Sequence, residues 1–290
     1  MIEGIKYKVF SVAVDTSMRL EKPLYYFRFK GVALKYIVSQ DKQYTDCLTG
    51  HFPVSEYPLS DAYKLLTEFL SLWSFERDEI VMPCCTFENG TLFPDEKSAL
   101  KVNMIVQARV KVPKTTTCPT IVYLPKIETD IQDKVVRLYR QARSCVNVYS
   151  QLLFFWHALV YPSQNDKDAQ DYIQSFIDSQ HSEYGYVYSD IDWLIKYKKK
   201  HGKGALSENL SKDNFGEYVR EDVRNAIAHI VRKWGASLDI DNIDQQAHIG
   251  SIGKILRYIS RYKIRYTHSL SLDKPHGMDY FMTLKNPDSE

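Results

Sequence analysis

The hydrophobic period of the chain changes at Pro125, and that change restricts it to a two-part fold. From Ile5 to about Leu124 the pattern is mostly that of strands; from Ile131 onward it is that of helices. Ile5 to Val14 alternates, with Tyr7, Val9 and Ser11 on one face and Lys8, Phe10 and Val12 on the other, and Asp15-Thr16-Ser17 bounds it. Leu24 to Val38 is rich in aromatic and β-branched residues, with Gly31 marking a bend or bulge. One helix interrupts the strands: Ala62, Leu65, Leu66, Phe69, Leu70 and Trp73 recur at helical spacing, with Ser60 or Asp61 as cap. Strands resume at Glu79 to Phe87, turn at Glu88-Asn89-Gly90, and continue through Ala99 to Val112 and Thr120 to Leu124. Residues 1–125 therefore predict a β-rich α+β domain with a largely antiparallel sheet. This half has no Gly-rich phosphate loop, metal-ligand cluster or nucleophile elbow, and His51 beside Phe52-Pro53 fits a surface loop.

Residues 131–270 predict an all-α bundle, and 271–290 a loosely ordered tail. Ile131 to Val160 reads as one long helix through Val135, Tyr139, Cys145, Val146, Leu152 and Trp156, apolar over more than half its circumference. His157 near its end suits a core or helix-terminal histidine. A polar loop, a short helix from Ala169 to Ser179, a tyrosine-rich connector from His181 to Asp190 and a helix from Ile191 to Lys200 follow. Lys198, Lys199, Lys200 and Lys203 form a positive run that is either a solvated loop or a phosphate contact. After a surface loop at Asp239 to Asp244, the last helix spans Ala247 to Tyr266. There Arg257, Arg261 and Arg265 stand one residue before Tyr258, Tyr262 and Tyr266. Such stripes either hold a nucleic-acid strand by charge and stacking, or pack tyrosines inward with arginines bordering them.

The remaining helix is the focus of the second half. Asp213 or Asn214 can cap it, Glu217 follows Asn214 at capping-box spacing, and Gly235 supplies a stop. Val219, Val223, Ala226, Ile227, Ile230 and Trp234 form its apolar stripe. At about 100° per residue Asp222, Asn225, His229 and Arg232 share a polar arc, and Arg224 lies about 140° from His229 on its flank. Ala228 between them would let another helix approach closely.

The spacing Arg224-Asn225-Ala-Ile-Ala-His229 resembles the R-N-x-x-x-H motif of HEPN-superfamily ribonucleases. Arg261 and His268 match the looser family spacing, but they lack the polar residue after Arg and run out of the helix. The order of a β-rich first half and a helical second half bearing the motif also resembles the MauJ-like proteins. The HEPN resemblance, covering about residues 131–270, implies a HEPN-like bundle in which two motif helices meet in a homodimer or higher even oligomer to form one RNA-cleaving site. It implies a toxin or antiviral defence role and a regulatory partner protein. One toxin subgroup carries an AMPylated tyrosine two residues after the histidine; Val231 stands there, which argues against that control.

The residue types suit metal-independent cleavage, with no cofactor and no metal. His229 would transfer protons, Arg224 would stabilise the phosphorane charge and Asn225 would orient, with Asp222 and Arg232 in support. Attack of the 2′-hydroxyl would leave a 2′,3′-cyclic phosphate and a 5′-hydroxyl. The alternative is a non-catalytic HEPN-like module that binds RNA or nucleotide, or mediates protein contact. Charge does not choose, since the net value is only +2. Five irregularly spaced cysteines fit reduced thiols in a cytoplasmic protein, and neither a signal-peptide profile nor a membrane-length apolar run is present.

Overall fold

The computed structural model describes residues 7–20, 23–41, 44–53, 58–84, 93–100, 116–118, 123–201, 206, 209–228, 238–270 and 278–280. The chain forms two compact units, residues 1–128 with 270–290, and residues 129–269.

The first unit runs β1 (Tyr7–Thr16), β2 (Met18–Leu20), β3 (Leu24–Phe29), β4 (Val32–Ile37), β5 (Asp46–Pro53), α1 (Leu59–Arg77), β6 (Val81–Cys84), α2 (Glu96–Leu100), β7 (Thr116–Cys118), β8 (Tyr123–Pro125) and, from the far end of the chain, β9 (Met278–Tyr280). Its main sheet is antiparallel throughout, in the order β3-β4-β5-β1-β6. The bend expected at Gly31 is a two-residue hairpin loop: Lys30 and Gly31 both have positive φ, 48° and 80°, the signature of a type I′ turn. Helix α1 covers the sheet with aromatic side chains. Phe69 sits 5.5 Å from Phe27 and 5.6 Å from Phe29, and Trp73 meets Tyr36 edge-on at 5.0 Å.

Three expectations change here. Helix α1 starts after Pro58 with no side-chain cap, so neither Ser60 nor Asp61 caps it. His51 lies not in a surface loop but in β5, opposite Val9 on one side and Ala33 on the other. Ala99 and Leu100 end a helix rather than begin a strand, because Asp95 accepts from the Ser98 amide at 2.7 Å and from its hydroxyl at 3.0 Å, nucleating a turn. The rest of that expected strand, and the Glu88-Asn89-Gly90 turn, lie outside the described residues. The C-terminal residues group with the first unit, where β9 pairs with β8.

The second unit is helical: α3 (Asp130–Ser144), α4 (Val148–Val160), α5 (Asp166–Asp178), a 3₁₀ turn at Ser182–Tyr184, α6 (Gly185–His201), α7 (Phe215–Glu217), a π-helical stretch Tyr218–Arg224, α8 (Asn225–Ala228), α9 (Ile243–Tyr262) and a π-helical end Lys263–Thr267. Val135, Tyr139, Leu152, Trp156, Ile173, Ile252, Leu256 and Ile259 are buried in its core. The helix expected to run unbroken from Ile131 to Val160 is two helices. Asn147 accepts from the amides of Tyr149 and Ser150 at 2.9 and 3.2 Å and so starts α4 afresh, which leaves Val146 94% exposed. The connector tyrosines are largely helical as well, since α6 begins at Gly185. Among the described residues no helix is long and apolar enough to cross a membrane.

Candidate functional site

The motif segment departs from an ideal α-helix before the motif begins. A short α-turn, Phe215–Glu217, passes into the π stretch Tyr218–Arg224, and α geometry returns at Asn225. The capping box does not form: Asn214 spends its side-chain oxygen on the Ser211 amide (2.9 Å) and hydroxyl (2.6 Å). Of the expected apolar stripe Val219, Val223 and Ala226 are buried and Ile227 is half-buried, while Ile230 and Trp234 lie outside the described residues; Phe215 and Tyr218 are buried as well. The 100° wheel does not hold, because i→i+5 bonding across seven residues re-aims the side chains that follow.

Gly216 is where this segment meets α5. Its amide donates to Gln174 Oε1 at 3.2 Å, and a Cβ there would collide with the backbone carbonyl of Gln170. Further along, Arg224 reaches the first residue of the same helix, with Nη2 at 2.9 Å from Asp166 Oδ2. The other oxygen of Asp166 accepts from Trp156 Nε1 at 2.8 Å. One carboxylate therefore joins the motif arginine to the core of α4. The Coulombic part of the ion pair is worth about 1 kcal/mol or less at this exposure. The indole bond matters more, because orphaning a buried donor costs about 1–3 kcal/mol.

Asn225 works from the other side. Its Oδ1 accepts from Arg224 Nη1 at 2.8 Å while its Nδ2 donates to Glu221 Oε2 at 2.9 Å, and Glu221 also pairs with Arg220. An amide, being both donor and acceptor, is the side chain that can bridge a guanidinium and a carboxylate in this way. Asp166 and the Asn225 amide thus hold the two terminal nitrogens of the guanidinium, with Glu221 bonded to Asn225 behind them, while the buried Nε–H of Arg224 has no acceptor among the described residues. The arginine placed on the far flank of the polar arc is thus brought against Asn225.

His157, on the last turn of α4, is exposed next to fully buried Trp156. Its imidazole is held below its ordinary pKa, first by partial burial and then by the Arg224 guanidinium, with Asp166 pulling the other way. Of the two expected places for it, core or helix end, it occupies the helix end. Asp222 is half-buried within the π stretch. His229 and Arg232 lie outside the described residues, as does Lys203. The backbone of Lys198, Lys199 and Lys200 continues α6, so these residues extend a helix rather than form a loop.

The arginine and tyrosine stripes of the last helix are engaged with one another. Arg257 lies over the Tyr258 ring at 4.6 Å and donates to its hydroxyl at 3.0 Å. Tyr262 packs among Phe176, His181, Tyr184 and Tyr266 at ring separations of 4.5 to 5.3 Å. Burial pushes the Tyr184 hydroxyl up to about 12, with Arg261 and Arg265 near enough to oppose that. Tyr266, 52% exposed, keeps an open face.

Asp166, Trp156, Glu221 and His157 are the neighbours that sequence reasoning did not connect to the motif. Glu221 was within reach of a spacing argument, at i−4 from Asn225. The others are far from Arg224 in sequence, and no periodic signal joins them. Residues 135–265 match the family described as methylamine utilization protein MauJ, a stretch that contains all of these residues. No curated protein and no solved structure matches the chain.

Proposed function

We propose that this protein is a metal-independent endoribonuclease of HEPN type, whose active site is composed of Arg224, Asn225 and His229 from two copies of the chain. The observation that supports this reading most is the coupling of Arg224 to Asn225 and Asp166, which holds the guanidinium in one orientation with its side chain 21% exposed. A guanidinium fixed before substrate arrives can fork onto phosphate oxygens as charge grows on them, with little reorganisation. His229 follows Asn225 by one helical turn in sequence, and an imidazole there supplies proton transfer. A single copy holds half of the groups; a two-fold pairing of motif segments supplies both halves. Asp222 and Arg232 support the site, and Lys198, Lys199, Lys200, Lys203, Arg257, Arg261 and Arg265 are the cations offered to the RNA backbone. A role in antiviral defence or as a toxin, and the cytoplasm as its place of action, belong to the same reading.

The test is incubation of labelled tRNA and mRNA with the protein in EDTA. Cleavage leaving 2′,3′-cyclic phosphate and 5′-hydroxyl ends, abolished by Arg224→Ala and by His229→Ala, is the expected result. A second reading follows from the Arg224–Asp166 ion pair: an arginine already paired can serve a module that grips RNA without cutting it. That module would shift RNA intact, with affinity falling as salt rises.

A further inference from the structure

Helices α6 and α9 leave a cavity of about 110 Å³ between them, whose lining includes Trp193, Leu194 and Tyr197 from α6 and Asp244, Ala247 and His248 from α9. On the scale at which about 150 Å³ encloses a benzene ring, this space seats one flat ring and leaves the rest of a ligand outside. It opens to solvent, since Trp193 is 55% exposed and Ala247 is exposed as well. Trp193 and Tyr197 stand one helical turn apart and nearly parallel, with ring centroids 5.1 Å apart and planes at 24°. On the α9 side His248 is buried and held in place. The Tyr218 hydroxyl accepts from the Leu206 amide at 3.2 Å and lies 2.7 Å from His248 Nε2, with the two rings edge to face. Asp244 is the acid of this lining; it is half-buried, and its carboxylate has no hydrogen-bond or ion-pair partner among the described residues.

We propose that this cavity binds a nucleobase that carries an exocyclic amino group, with its six-membered ring against Trp193 and Tyr197 and its amino N–H donated to Asp244. Parallel aromatic side chains take any flat ring, because every base has a π-face. The carboxylate adds the choice. It accepts from an amino edge, whereas a carbonyl edge would set one acceptor against another beside the apolar Leu194 and Ala247. The base belongs either to a free nucleoside or to an unpaired position of an RNA strand; the recognition is the same in both, with the ribose left outside. None of the motif residues takes part, so the site stands whether or not the protein cuts RNA.

Calorimetric titration of the full chain with adenosine, inosine, oligoadenylate and oligoinosinate tests this, with thermal melts to confirm that each variant folds. The adenine probe should bind at least about tenfold tighter than its hypoxanthine counterpart, which has an oxygen in place of the amino group. Trp193→Ala, at an exposed position, should weaken binding about 5–150-fold, and Trp193→Phe should recover much of it. Asp244→Ala should bring the two bases to within about threefold of each other. Ala247→Leu, which fills the cavity from an exposed position, should abolish binding of both. Adenosine binding by itself identifies a free nucleoside as the ligand. Binding of oligoadenylate alone, lost in the same variants, identifies an unpaired RNA base. The proposal is overturned if neither adenine probe binds, if inosine binds as well as adenosine, or if folded Ala247→Leu binds as wild type does.

Discussion

Replacing Asp166 separates the two bonds that its carboxylate makes. Asp166→Asn keeps an acceptor for the Trp156 indole but loses the negative charge facing Arg224, and with it the favourable charge at the first residue of α5. The ion pair joins side chains 21% and 36% exposed, so its loss costs about 0.2–1 kcal/mol. Removing the acidic charge from the helix start adds about 0.3–1 kcal/mol. Asp166→Asn should therefore destabilise the second unit by about 1 kcal/mol. Asp166→Ala loses these and also leaves a fully buried indole N–H without an acceptor, worth about 1–3 kcal/mol more. The alanine variant should sit about 3 kcal/mol below wild type, which urea denaturation followed by Trp fluorescence resolves easily. A double-mutant cycle with Arg224→Ala then isolates the ion pair, with a coupling of about 1 kcal/mol or less. Equal losses for the asparagine and alanine variants would refute the ranking, since the indole bond would then contribute nothing.

Gly216→Ala pushes a methyl into the Gln170 carbonyl, and should lower stability by about 1–3 kcal/mol while loosening the motif segment, measured by hydrogen exchange at Val219 and Val223. Gly31→Ala strains a residue at φ 80° in the β3–β4 hairpin, and should lower stability by about 1 kcal/mol in a denaturant melt. Asn147→Ala removes the cap that restarts α4 and should cost about 1 kcal/mol, read in the same melt. His268 is driven down to about 4 by burial first and by Lys263 second. Its folded pKa lies below its unfolded value, so the unfolded chain takes up a proton below pH 6.5 that the folded chain refuses until about pH 4. Stability should therefore fall as pH drops through that window, and less so in His268→Phe, as pH-dependent melts would show.

Sequence periodicity carried the division into a strand-rich half and a helical half, because one face of each element is buried and the spacing of apolar residues records which. It carried α1 for the same reason, through Phe69 and Trp73. It misjudged places where a short polar side chain competes with the repeating backbone pattern. Asn147 divides a run of apolar residues that otherwise reads as continuous helix, and its effect lies in two local hydrogen bonds that a hydrophobic wheel does not count. β5 was hidden for a different reason. Asp46, Thr49 and Gly50 break any alternation, yet all of the strand from Asp46 to Gly50 is buried, between β4 and β1 and close beneath α1, where both faces are covered.

The site was legible along the chain and illegible across it. Arg224 and Asn225 could be named from spacing, and their direct bond agrees with their being adjacent parts of one device. Asp166 could not, because nothing in its vicinity signals which distant cation it will meet. The link comes from α5, which offers Asp166, Gln170 and Gln174 at successive turns of one face. Gly216 presses on Gln170 and Gln174, and Arg224 closes on Asp166 at the other end. Between these two anchorages the segment changes to i→i+5 bonding, and α geometry resumes at Asn225, the residue after Arg224. A widened helix that starts after one anchorage and stops at the other is accounted for by the anchorages themselves. The π stretch lies between the points where the segment is tied down, and its last residue, Arg224, is the one that meets Asp166.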